Sequence, residues 1–158
     1  MAQAFPHLFQ PLELRHKRLK GRLNFGAHTA NMSEGGLPVE RHLGYYLERS
    51  LGGAAMIVVE PVPVHRTAVL TRGNFRPEDD SIIPHFRRIT EACHEQGTVM
   101  IHQLYHVGQH GDGDNSFEPN WSPSGLPSYH DSHGSHAMTE SEIETIIESF
   151  AQAARRAQ

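Results

Sequence analysis

Gln103 stands next to the end of the apolar run VMIHQL, and its carboxamide offers more specific chemistry than any other side chain here. A primary amide carries a donor and an acceptor side by side, so it can pair with a ring edge that shows C=O next to N–H. Neighbouring backbone could satisfy the same amide, and residue type alone leaves both readings open. Two more chain segments place polar or flexible groups at the end of an apolar run, Gly26-Ala27-His28 and Val59-Glu60-Pro61. Thirteen histidines are many for 158 residues, and their spacing has to be weighed before any is given a role.

His102, His106 and His110 are four apart, which would make one face of a helix and a metal site there. VMIHQL reads as a strand, however, where a spacing of four brings nothing together, so no metal site is assigned. His130, His133 and His136, with Asp131 beside them, form HxxHxxH in a polar stretch that reads as a surface loop, open to adventitious zinc or nickel. Asn31-Met32-Ser33 matches a glycosylation sequon by chance, since no secretory leader accompanies it. Cys93 is the only cysteine, which excludes an internal disulfide, and it falls in an amphipathic helix as a buried bystander thiol. Tyr45 and Tyr46 read as packing residues of a helix.

The elements that must position these groups follow from periodicity. Leu12 to Lys20 reads as a two-stranded hairpin around the polar turn Arg15 to Arg18, capping one end of the fold. A short strand, Arg22 to Ala27, breaks into a polar Gly-rich loop from His28 to Pro38. Val39 to Leu51 carries Leu43, Tyr46, Leu47 and Leu51 near helical spacing and closes at Gly52-Gly53. Ala54 to Glu60, AAMIVVE, is short, apolar on both faces and bounded by Gly and Pro, as a parallel strand covered on both sides should be. Ile82 to Gln96 is a second helix, ended by Gly97, and Val99 to Leu104 a third strand, followed by a long polar loop from Tyr105 to Met138. Thr139 and Glu142 form a capping box, from which Ile143, Ile146, Ile147, Phe150 and Ala154 run as an apolar stripe.

Strand-helix units in succession imply parallel strands joined by right-handed crossovers. A doubly wound nucleotide fold would place a Gly-rich phosphate turn after its first strand, where this chain has Ala27 to Asn31, and neither GxGxxG nor a Walker-type GxxxxGK occurs anywhere. The opening of a β/α barrel is the architecture favoured. In such folds the site is built at the C-terminal strand ends, which are the three segments named above. The pyrimidine edge of a flavin shows the pattern that Gln103 would complement.

Several segments together resemble the old yellow enzyme family of FMN-dependent NADH:flavin oxidoreductases, above all the branch holding dienoyl-CoA reductase, trimethylamine dehydrogenase and N-methylproline demethylases. LFQPLEL with LKGRLNFGAHT is similar to the family's opening hairpin and first strand. ERHLGYYLERSLGGAAMIVVE is similar to its first helix and second strand, IHQLYHVGQ to its "Gln-Leu-x-His-x-Gly-Arg" third strand, and WSPSGLP to the "Pro-Ser" segment beyond. The resemblance is collinear over essentially all 158 residues.

The resemblance implies an α/β fold, an incomplete (β/α)8 TIM barrel made of an N-terminal hairpin and the first three β-α units in parallel. Residues 1–158 would be the N-terminal portion of a single FMN-binding domain, a fragment with no catalytic residue of its own. Gly26, Ala27, His28, Pro61 and Gln103 fall at cofactor-binding positions: His28 near the flavin carbonyl and N5 edge, Pro61 packing on the ring, Gln103 on the pyrimidine edge. His106 matches the motif histidine and would hold its loop, while Gln109 stands where the family has arginine. FMN would be the cofactor, with NADH or NADPH as reductant in full-length members, and an iron-sulfur cluster would need cysteines of a longer chain. The partner would be a small-molecule substrate. A net charge of -4 spread along the chain argues against nucleic acid, and no apolar run is long enough for a membrane, so a cytoplasmic protein is expected. The alternative reading is a non-catalytic interaction module, whose unpaired strand edges and Ile143 to Phe150 stripe would pair with another chain, by self-association or with a complementing half-barrel.

Overall fold

The computed structural model describes residues 4–76, 79–129 and 134–158. The hairpin is β1 (Leu12–Leu14) paired antiparallel with β2 (Lys17–Leu19), Leu12 opposite Leu19. Arg15 takes a left-handed φ of 53° in its turn. Then come β3 (Asn24–Phe25), α1 (Glu40–Leu51), β4 (Met56–Pro63), α2 (Ile83–Glu95) and β5 (Val99–Tyr105). A short α3 (Gly113–Ser116), the pair β6 (Trp121–Ser122) and β7 (His136–Ala137), and the long α4 (Glu140–Arg156) complete the order.

β3, β4 and β5 form one parallel sheet in chain order, as the two crossovers require. The core lies between this sheet and α1 and α2, where Tyr46, Ile57, Val59, Phe75, Ile89 and Cys93 are nearly or fully enclosed. Each large side chain so buried contributes about 1.5–3 kcal/mol. Burial pushes the Cys93 thiol up, in keeping with an inert thiol. At the N-terminal end of the sheet, Lys20 Nζ donates to the carbonyls of Ser50 and Gln96 at 3.3 and 2.7 Å, clasping the C-termini of α1 and α2, where carbonyls lack helical partners.

Three departures from the sequence pattern have physical reasons. β3 is only two residues long, because the chain turns out of the ladder at Gly26. α1 buries His42, Tyr46 and Ser50 rather than Leu51, which stays exposed: polar side chains take the inward stripe where a hydrogen bond compensates each. β4 runs on through Pro61 and Pro63 because its register against β5 slips between Val58 and Pro61: Val58 faces Ile101, but Pro61 faces Gln103. One extra residue on β4 makes this a β-bulge, which turns Glu60 to the same side as Val59, toward α1.

α4 begins as its residues dictate. Thr139 Oγ1 accepts from the Glu142 N–H, and Glu142 Oε2 accepts from the Thr139 N–H at 2.7 Å. The Thr139 N–H, with His136 next, holds the Glu142 carboxyl below its usual range. Thr139→Ala is expected to cost about 1 kcal/mol, read as a lower midpoint in urea at unchanged slope. The apolar stripe of α4 lies outward at Ile143, Ile147 and Phe150, while Ala153 is enclosed near Phe86 and His102. Among the described residues no helix is long and apolar enough to cross a membrane.

Candidate functional site

Sheet alternation decides which β5 side chains can meet a ligand. Met100 and Leu104 pack on the α2 side and the His102 ring stands edge-on to Phe86, so Ile101 and Gln103 lie on the opposite face, where both are exposed. Pro61 is the β4 partner of Gln103 and shares its face. Gly26, Ala27 and His28 leave the end of β3 beside β4. The three strand ends therefore stand side by side. The Gln103 amide has no hydrogen-bond partner among the described residues. No atom lies within 4 Å of where a Cβ at Gly26 would sit, so nothing in the chain itself requires glycine there.

The loop after β3 is held from below by one buried carboxylate. Glu60, 1% exposed, accepts from the backbone N–H of Ala30 at 2.8 Å and of Asn31 at 3.3 Å through Oε2. Its Oε1 accepts from the Tyr46 hydroxyl at 3.2 Å and lies 3.4 Å from His42 Nε2. His42 Nδ1 accepts the Val39 N–H, which leaves the proton of a neutral ring on Nε2, facing Glu60. The Tyr46 oxygen in turn accepts the Glu60 N–H, and burial drives its phenol far above its ordinary value. Asn31 ties this loop to the one after β4, and Asn74 braces that second loop against β5. Asn31, at φ 57°, accepts from the Thr71 hydroxyl and the Gly73 N–H through Oδ1, and Asn74 Oδ1 accepts from Leu70, Thr71 and Tyr105. A Cβ on Gly73 would meet the Asn31 carbonyl oxygen, which makes glycine obligatory there.

His106 is engaged on both nitrogens. Nδ1 accepts the Gly108 N–H at 3.1 Å, so the neutral ring carries its proton on Nε2, 3.1 Å from Thr67 Oγ1. The Thr67 hydroxyl is then free to donate to His65 Nδ1 at 2.8 Å. Burial, and secondarily His65, lowers His106 to about 4. The two bonds brace the start of the loop between β5 and α3 against the turn at Thr67. Gln109 reaches the Pro127 carbonyl at 3.5 Å.

His102, His106 and His110 do not converge: His102 lies against Phe86, His106 on Thr67, and His110 against the Tyr129 ring. No group of metal-ligating side chains occurs among the described residues. His130, Asp131 and His133 lie outside the described residues, and His136 bonds Glu142. Sequence reasoning named Glu60 only as part of a strand end and missed its role, along with those of His42 and Asn74. A carboxylate at the end of a strand apolar on both faces is itself a signal, because burial demands several donors.

The family model described as "NADH:flavin oxidoreductase / NADH oxidase family" matches residues 7–158. A probable N-methylproline demethylase of Rhizobium meliloti is 34% identical over 154 residues, covering 94% of this chain and 22% of that protein. Morphinone reductase in complex with tetrahydroNAD superposes with a TM-score of 0.86 at 25% identity, covering 96% of this chain and 46% of that one. The old yellow enzyme homologue of Zymomonas mobilis superposes equally well, at 0.86, with 23% identity over 96% of this chain and 45% of that one, a likeness of fold. The chain thus spans less than half the length of each of these relatives. With the family match running over nearly the whole sequence, the chain belongs to the NADH:flavin oxidoreductase / NADH oxidase family, that of the old yellow enzymes.

Proposed function

We propose that residues 1–158 form the N-terminal portion of a single FMN-binding β/α barrel domain, contributing its opening hairpin and first three of eight strands to an FMN-dependent oxidoreductase. The observation that carries this is the exposed amide of Gln103, without a partner among the described residues, on the same sheet face as Pro61 and next to the end of β3. Gly26, Ala27, His28, Pro61 and Gln103 fit one wall of a flavin site: an open glycine, a flat proline ring, and amide and imidazole donors at adjacent strand ends. Bound FMN would supply hydride transfer, with NADH or NADPH as the reductant of the whole protein. The chain's own part is to orient and polarise. Gln103 would accept and donate along the pyrimidine edge, and His28 would donate where negative charge develops near the carbonyl and N5 edge. Neither moves a proton to substrate, and the chain carries no catalytic residue in this reading. The whole protein would reduce an electron-poor alkene or oxidise an N-methyl amine, the second class being named by the Rhizobium meliloti relative.

A single wall offers few contacts, so the 158-residue chain is expected to retain little FMN through purification and to bind it weakly when titrated. Gln103→Leu, which removes two hydrogen bonds, should weaken that binding by about tenfold, monitored by flavin fluorescence polarisation. Equal affinities for parent and variant would overturn the assignment of Gln103. A yellow, stoichiometric complex of the chain as purified would overturn the reading of an incomplete site.

A further inference from the structure

Arg49, Tyr45 and His28 form a chain of contacts that the flavin reading leaves unused. The Arg49 guanidinium carbon lies 3.4 Å from the centre of the Tyr45 ring and 4.9 Å from that of Phe25. Its Nη1 donates to the Tyr45 carbonyl at 2.6 Å, one helical turn back, which fixes the cation over the ring. The Tyr45 hydroxyl lies 3.4 Å from His28 Nδ1. A cation over the ring face draws electron density from the phenol and makes its O–H a stronger donor. The next residue of α1, Tyr46, holds Glu60, which in turn holds the N–H groups of Ala30 and Asn31. Adjacent tyrosines therefore secure both ends of the segment 28–31, Tyr45 directly at the His28 ring and Tyr46, by way of its hydroxyl on Glu60, at the backbone N–H groups of Ala30 and Asn31.

We propose that Tyr45, polarised by Arg49, is a positioning residue that donates to His28 Nδ1 and so keeps the His28 proton on Nε2, aimed at an electron-rich acceptor on the ligand. The inference rests on the flavin reading for the identity of that acceptor, a carbonyl or reduced ring nitrogen, but the relay stands on the contacts alone. An imidazole has one donor nitrogen when neutral, and which one it is depends on what the other nitrogen meets. A donor at Nδ1 makes Nε2 the N–H, the form that can stabilise negative charge beyond it.

The test uses the full chain with 15N-labelled histidine and long-range proton-nitrogen correlation, which reports the tautomer of each ring. His28, assigned through loss of its signals in His28→Gln, should show an unprotonated, hydrogen-bonded Nδ1 and a protonated Nε2. Tyr45→Phe keeps the ring between Phe25 and Arg49 and removes only the hydroxyl, so His28 Nδ1 should move downfield while the other histidines stay in place. Arg49→Met should move it the same way by a smaller amount. An unmoved Nδ1 in Tyr45→Phe, or a parent His28 protonated on Nδ1, overturns the relay, and unchanged resonances of the other rings report that the variant is folded. Adding FMN in millimolar excess separates the two ideas. Perturbation of His28 Nε2 supports the ligand assignment, whereas no perturbation by FMN counts against the flavin reading and leaves the relay to be judged by Tyr45→Phe.

Discussion

Glu60→Leu should destabilise the chain by about 3–5 kcal/mol, since the donors that Glu60 serves are left without an acceptor at about 1–3 kcal/mol each. Leucine fills the volume but accepts nothing, so the N–H groups of Ala30 and Asn31 and the Tyr46 hydroxyl lose their acceptor, and His42 Nε2 loses the carboxyl oxygen 3.4 Å away. Glu60→Gln keeps one oxygen and turns an NH2 group toward the remaining donors, so it should cost less, about 1–2 kcal/mol. Urea unfolding of the three proteins measures the order. Hydrogen exchange adds a local readout: the amides of Ala30 and Asn31 should lose protection in both variants before the core strands do. Leucine at this position within about 1 kcal/mol of the parent, on the scale of an ordinary substitution, would mean that the carboxylate is not what fastens the loop.

Acid should weaken the chain by a similar amount through two imidazoles. Burial lowers His102 to about 4, and burial together with His65 does the same for His106. Both values lie below that of a free imidazole, so the unfolded chain takes up protons first as the pH falls. Stability from these groups is complete above about pH 6.5 and drains away between there and about pH 4. His102, the more enclosed, accounts for about 3 kcal/mol, and His106, discounted for its contact with solvent, for about half that. Urea midpoints at pH 7 and pH 4.5 should show the loss. His102→Phe keeps an aromatic ring against Phe86 without the ionisable nitrogens, and should remove the larger part of the difference. Carboxylates titrate in the same range, and comparison with the parent cancels them. Parallel pH profiles for the two proteins would be incompatible with a buried neutral His102.

The strands that carry the site are legible in AAMIVVE and VMIHQL as apolar runs without alternation whose limits glycine or proline marks, although among the described residues only the face toward α1 and α2 is covered. The capping box of α4 is legible for a local reason, both partners being three residues apart. Glu60 is different. Its partners come from Ala30, Asn31, His42 and Tyr46, distant in sequence, and it meets them only because the bulge puts it on the same side of β4 as Val59. A period-two reading of the strand would send it to the other face. The α1 stripe fails at Leu51 for a related reason: hydropathy cannot register that His42 and Ser50 are compensated, Ser50 by the Thr98 hydroxyl at 2.6 Å. The outward stripe of α4 shows the opposite limit. Amphipathic spacing identifies an apolar face but does not say what that face lies against.

Because β3, β4 and β5 neighbour one another in the order of synthesis, the sheet can grow as the polypeptide leaves the ribosome. Each new strand docks on the free edge of the last, with its helix laid across behind it, and nothing has to be threaded between elements already in place. A nascent chain of this composition should therefore reach a protease-resistant nucleus once β5 has cleared the exit tunnel, and the stretch beyond Tyr105 would then be laid down on a surface already made.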